Sequence, residues 1–198
     1  MPGGRPRGYD AELALEAAML TFWARGYEGT AMAELTAAMG MSAPSIYAAF
    51  GDKEALFRKA VERYMAGPGA YLQAALDQPT TEALVRTLLH SAVEAVAGEH
   101  TPHGCLVVQG ALAAGPRSAE VRKYLARLRE EGVTCLADRL RSFPAADGLP
   151  SGSDPSALAR LLVALVQGLA VQAASGVPRE ALHAVAEQMI TCLPRRAD

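Results

Sequence analysis

Apolar positions recur three and four residues apart along nearly the whole chain, and no segment alternates with period two. This pattern predicts helices from end to end. Residues 10–26 read as a first helix, with Leu15, Ala18 and Phe22 on its inward stripe and Trp23 adding bulk. Met32, Leu35 and Met39 mark a second helix, with Thr30 as its N-cap and Gly40 as its stop. Ser42 caps a third, Pro44 falls in its first turn, and Ile46 and Phe50 face inward until Gly51 ends it. Asp52 opens a longer helix to about residue 66, Gly67-Pro68-Gly69 interrupts it, and a further turn or two reaches Leu76. Caps and breaks then predict helices over 81–97, 104–114, 118–142, 154–176 and 178–193, the long one turning Val121, Leu125, Leu128 and Leu136 to the core. Residues 143–155, rich in Pro, Gly, Ser and Asp, read as a surface loop. The expected fold is all-α, with about nine helices.

The segment from Thr30 to Phe57, TAMAELTAAMGMSAPSIYAAFGDKEALF, carries the most information. A short helix, a tight turn and a second short helix form the unit that presents one helix to the major groove of DNA. Met41, inside the turn, pins it to the core. With Ile46 and Phe50 inward, Ser45, Ala48 and Ala49 are left on the outer face with Tyr47 beside them. Alanine and proline can touch thymine methyls but offer no hydrogen bonds. Discrimination between sequences therefore needs a second element. The N-terminal arm supplies a candidate: Arg5 and Arg7 flank Pro6 between glycines and can lie in a narrow A·T-rich minor groove.

Charge and composition narrow the setting. The chain has 198 residues, half of them hydrophobic, and a net charge of −2. Residues 1–65 hold seven basic and eight acidic side chains, so any phosphate binding must come from placement rather than bulk charge. Lys53 is placed for it, in a helical first turn where free amides and the dipole also attract phosphate. The polar N-terminus lacks a secretory apolar segment. The most apolar run, Leu158 to Ala174, contains Arg160, Gln167 and Gln172 and reads as a buried helix rather than a membrane span. Three widely separated cysteines make no disulfide framework, which suits a reduced cytoplasm. No metalloprotease motif, glycine-rich phosphate loop or nucleophile elbow is present, and Glu130-Glu131 reads as a solvated pair. The expectation is no enzyme, no cofactor and no membrane partner.

The order Thr30, Gly40-Met41-Ser42, Ser45-Ile46-Tyr47, Phe50, Lys53-Glu54-Ala55-Leu56 resembles the signature of the TetR/AcrR family of bacterial repressors, and residues 10–27 resemble that family's first helix. The resemblance implies an N-terminal helix-turn-helix domain over residues 10–57 behind a flexible arm of residues 1–9. The connecting helix would run to about 66, and residues 67–198 would bind ligand and dimerise. It implies that Tyr47 and Lys53 contact phosphates, and that Ala43, Pro44, Ser45, Ala48 and Ala49 face bases. Ala43, Ala48 and Ala49 depart from larger or polar residues common in the family. Thr30 and Ser42 complete the expected DNA-binding set, with Arg5 and Arg7 from the arm. The implied molecule is a homodimer on a palindromic double-stranded operator, released by a small-molecule effector.

For the body, the last two helices carry more apolar surface than one buried stripe requires. Leu158, Leu162, Leu165, Val166, Leu169, Val185 and Met189 are the expected dimer contacts. Polar handles on apolar helices give the candidate effector contacts: Tyr71, His90, Cys105, Gln109, Tyr124, Gln167 and Gln172. In His100-Thr-Pro-His103-Gly104-Cys105, two imidazoles and a thiol fall within six residues. That run reads as a structural turn with a buried cysteine, with a thiol-responsive or metal-responsive repressor acting through Cys105 as the alternatives. A helical ligand-binding module without DNA activity is a further alternative.

Overall fold

The computed structural model describes residues 10–112, 118–144 and 146–193; the arm with Arg5 and Arg7 lies outside them. Among the described residues there are ten α-helices rather than nine, and no strand. They are α1 (Ala11–Arg25), α2 (Met32–Met39), α3 (Ala43–Phe50), α4 (Lys53–Ala66), α5 (Tyr71–Leu76), α6 (Thr81–Val96), α7 (Leu106–Leu112), α8 (Ala119–Ser142), α9 (Pro155–Ala174) and α10 (Arg179–Thr191), with a 3₁₀ turn at Pro68–Ala70.

Local chemistry sets most helix starts. Asp10 accepts from the Glu12 and Leu13 amides, Asp52 from Ala55 at 2.8 Å, Thr80 from Ala83 at 3.1 Å and Asp154 from Ser156 at 2.9 Å. Such caps are each worth about 1 kcal/mol. Gly40 ends α2 in the left-handed conformation at φ 63°. Two expected caps are different. Thr30 does not cap α2: it is fully buried and donates to the Gly26 carbonyl at 2.7 Å, while the Glu34 carboxylate reaches back to the Ala31 amide at 2.8 Å. Ser118 precedes α8 but donates to Glu28 at 2.6 Å, tying the body to the loop after α1.

One apolar core runs through the molecule. Phe22, Trp23, Phe57 and Tyr64 sit at its centre, with Phe22 edge-on to Phe57 at 5.1 Å and Trp23 edge-on to Tyr64 at 4.8 Å. Leu15, expected inward, is only partly buried, and Met19 takes the deeper place. The Trp23 indole donates to the Gly104 carbonyl at 3.0 Å, which joins α1 to the start of α7. Gly110 lets α7 close in: a Cβ there would lie 2.9 Å from Leu125 and 3.2 Å from Phe57. By length and composition α9 could cross a membrane. Here it packs against α6, α8 and α10. A polar clasp fastens α10 to α6: His90 and His183 face each other through Nδ1 at 3.0 Å, and their Nε2 atoms meet Glu187 and Glu94 at 2.7 Å each.

Candidate nucleic-acid interface and effector cavity

The outer face of α3 is built by what α3 buries. Ile46 and Phe50 point into the core, which leaves Pro44, Ser45, Tyr47, Ala48 and Ala49 exposed and Ala43 at the edge. Ser42 caps the helix by accepting the Ser45 amide at 3.3 Å, and the two hydroxyls lie 2.8 Å apart. Tyr47 is 49% exposed, so its phenol is available to a partner. Lys53 opens α4 with its ammonium 4.6 Å from the centre of the Tyr27 ring. Burial lowers the Lys53 pKa, and Glu28 and Glu34 oppose the shift. Thr30 takes no place on this face, because its side chain is wholly inside and spent on Gly26.

Behind α4 lies an apolar cavity of about 80 Å³, walled by α4, α5, α6, α7, α8 and α9. Of the seven expected effector contacts, Tyr71, Cys105 and Gln167 line it. The others are placed elsewhere for identifiable reasons. His90 is committed to His183 and Glu187 in the α6–α10 clasp. Gln109 lines a separate open groove between α1, α7 and α9 and donates to the His103 carbonyl at 3.2 Å. Tyr124 lies 4.5 Å under the Arg58 guanidinium on the outside of α8, and Gln172 is exposed. Two cavity residues escaped the sequence reading. Tyr64 sits on α4, in a helix read as a connector, and Arg129 sits on α8 among charges read as solvated. No local pattern marks either, since their role arises where four or more helices meet.

The dimer expectation also needs correcting. Leu162 and Leu169 are fully buried within the chain and Val166 lines the cavity, so none of the three is on the surface. Leu158, Leu165 and Met189 are partly buried, Val185 is 37% exposed, and Leu161 and Val171, not expected, are 53% and 45% exposed. An apolar helix with two apolar faces does not disclose by periodicity which face the core takes. Among the described residues no group of three or more His, Cys, Asp or Glu side chains is arranged to hold a metal ion.

The family model for bacterial regulatory proteins of the tetR family matches residues 14–60, and the Tetracyclin repressor-like C-terminal domain matches residues 81–189. The chain belongs to the TetR family. It is 30% identical over 193 residues to the HTH-type transcriptional repressor ComR of Escherichia coli, covering 96% of this chain and 92% of that one. It is also 30% identical over 149 residues to the repressor BdcR of the same organism, covering 68% and 75%. A cysteine mutant of the TetR family transcriptional regulator CifR, solved with 26-bp double-strand operator DNA, is 42% identical, superposes with a TM-score of 0.89, and is matched over 96% of this chain and 100% of that one. The matched families and relatives of this TetR-family chain are transcriptional regulators rather than enzymes.

Proposed function

We propose that this TetR-family chain is a repressor that binds a palindromic operator as a homodimer and is released by a small-molecule effector in the bacterial cytoplasm. One observation carries the reading. The outer face of α3 stands free on a fully packed scaffold, in a chain 42% identical to a regulator solved on operator DNA. On this reading residues 10–57, continuing to about 66, bind DNA, and residues 67–198 bind effector and dimerise. Ser42, Ala43, Pro44, Ser45, Tyr47, Ala48 and Ala49 form the groove-facing surface and Lys53 a phosphate contact, with Arg5 and Arg7 of the arm beside them. The exposed Leu161, Val171 and Val185, with the partly buried Leu158, Leu165 and Met189, are the apolar residues of α9 and α10 that a second copy would cover.

Gel shift against the DNA upstream of its own gene tests the reading. Expected is a salt-dependent complex of two chains on one site. Lys53→Ala should weaken binding to all sequences and lower the salt slope by about one. Absence of any sequence-dependent complex would leave a helical binding module instead. A thiol-responsive variant of the reading is favoured by the place of Cys105 on the cavity wall. Alkylation of Cys105 that leaves DNA binding unchanged would remove it.

A further inference from the structure

The cavity behind α4 is mostly apolar, and its polar lining side chains are Tyr64, Tyr71, Cys105, Arg129 and Gln167. The Tyr64 hydroxyl is fully buried and lies near the Cys105 sulfur and the Leu106 backbone, yet it makes no hydrogen bond of acceptable geometry. Tyr71, whose hydroxyl end is deeply buried, is within electrostatic reach of the same sulfur, as is the Arg129 guanidinium. Burial pushes both tyrosine hydroxyls up, so they stay protonated and can donate. Arg129 is half-buried, makes one long bond of 3.3 Å to the Val107 carbonyl, and has no carboxylate partner among the described residues. Among the described residues it is the one charged side chain lining the cavity. A guanidinium keeps its charge at any accessible pH, and a desolvated charge without a counter-ion is costly.

We propose that this cavity receives a small organic monocarboxylate with an apolar body. Arg129, Tyr64 and Tyr71 hold the carboxylate, and Leu72, Leu88 and Val163 surround the body. The proposal rests on the reading of the C-terminal body as an effector domain and names the chemistry of its ligand. A neutral ligand could occupy the Tyr64 hydroxyl but would leave Arg129 uncompensated. A dianion such as phosphate would bring twice the charge that one guanidinium offsets. A planar carboxylate matches the guanidinium fork and can still accept from a phenol.

Size adds the readout. The cavity, about 80 Å³, is smaller than the roughly 150 Å³ that holds a benzene ring in an engineered core. A ring-sized ligand seated fully inside would therefore push its walls apart, and Tyr64 is, with Met65, the wall that α4 contributes. Its ring also abuts Trp23 of α1 at 4.8 Å. Displacement of Tyr64 is felt directly by the helices that carry α3, which is the differential contact a ligand needs to bias two conformations.

The test is calorimetric titration of the full chain with hexanoate, benzoate and phenylacetate against hexanamide, benzamide and phenylacetamide. Expected is binding of the acids at least about tenfold tighter than their amides, the size of one charge-assisted hydrogen bond. Arg129→Met should bring the acids down to the amide level without altering the amides, and Arg129→Lys should recover part of the loss. Tyr64→Phe should weaken the acids several-fold; circular dichroism and Tm of each variant confirm that it is folded. Equal binding of acids and amides, no acid binding at millimolar concentration, or indifference of a folded Arg129→Met chain would overturn the proposal. Gel shift separates this from the underlying reading. Amides that release DNA while acids do not would sink the proposal and keep the effector domain. Acids that bind without changing DNA affinity would keep the site and sink the effector role.

Discussion

The helix-turn-helix and the cavity wall treat buried polar groups in opposite ways. In the first, every inward hydroxyl is spent: Thr30 is fully buried and donates to Gly26 at 2.7 Å. In the second, the Tyr64 hydroxyl is buried without a hydrogen-bond partner. An unsatisfied buried group costs about 1–3 kcal/mol, so it persists only where something offsets it. The contrast separates a unit whose packing is closed from one that leaves a cavity and an unsatisfied hydroxyl. The outer face of α3 carries mostly small and apolar side chains beside Ser45 and Tyr47, whereas the cavity keeps the Tyr64 hydroxyl unspent.

Breaking the packed side should have the largest effect. Phe57→Ala removes a fully buried ring that Phe22 and Tyr27 both abut, and should cost about 3–5 kcal/mol in denaturant unfolding. A loss below about 1 kcal/mol would show that this core can collapse around the gap. The exposed apolar residues come next. Leu161→Glu, at a position 53% exposed, should leave the fold of a single chain intact and weaken self-association by about two orders of magnitude in sedimentation. The smallest and sharpest test is a pair with opposite signs. Thr30→Val should destabilise by about 1 kcal/mol, since it leaves the Gly26 carbonyl short of a donor. Tyr64→Phe should stabilise the ligand-free chain by a comparable or smaller amount, about 1 kcal/mol at most, because it removes a hydroxyl that satisfies nothing. Equal signs would erase the contrast between the two regions.

Legibility in the sequence follows the same divide. The caps at Asp10, Ser42, Asp52, Thr80 and Asp154 and the turn at Gly40 are local: each needs a neighbour two to four residues away, so the order of residues discloses it. Thr30 is not legible in this way, because a threonine before a helix can spend its hydroxyl backward on Gly26 as readily as forward on α2. Leu162, Val166 and Leu169 are buried within the chain rather than exposed, because both sides of α9 are apolar and only the neighbours α6, α8 and α10 decide which is covered. Tyr64 and Arg129 left no trace at all. They are 65 positions apart and meet only at a cavity formed by helices α4 to α9.

The bond from the Trp23 indole to the Gly104 carbonyl has a further consequence for how the molecule comes into being. It closes a loop of 81 residues, and Trp23 is wholly covered only when α4 and the start of α7 are both in place. During synthesis the three N-terminal helices therefore emerge complete in sequence but unfinished in packing, with an indole edge waiting for a segment that the ribosome has still to deliver. The same bond limits recombination. A DNA-reading unit exchanged between relatives at the end of α4 would carry its tryptophan away from the carbonyl that receives it, and a working graft has to bring the turn before α7 along.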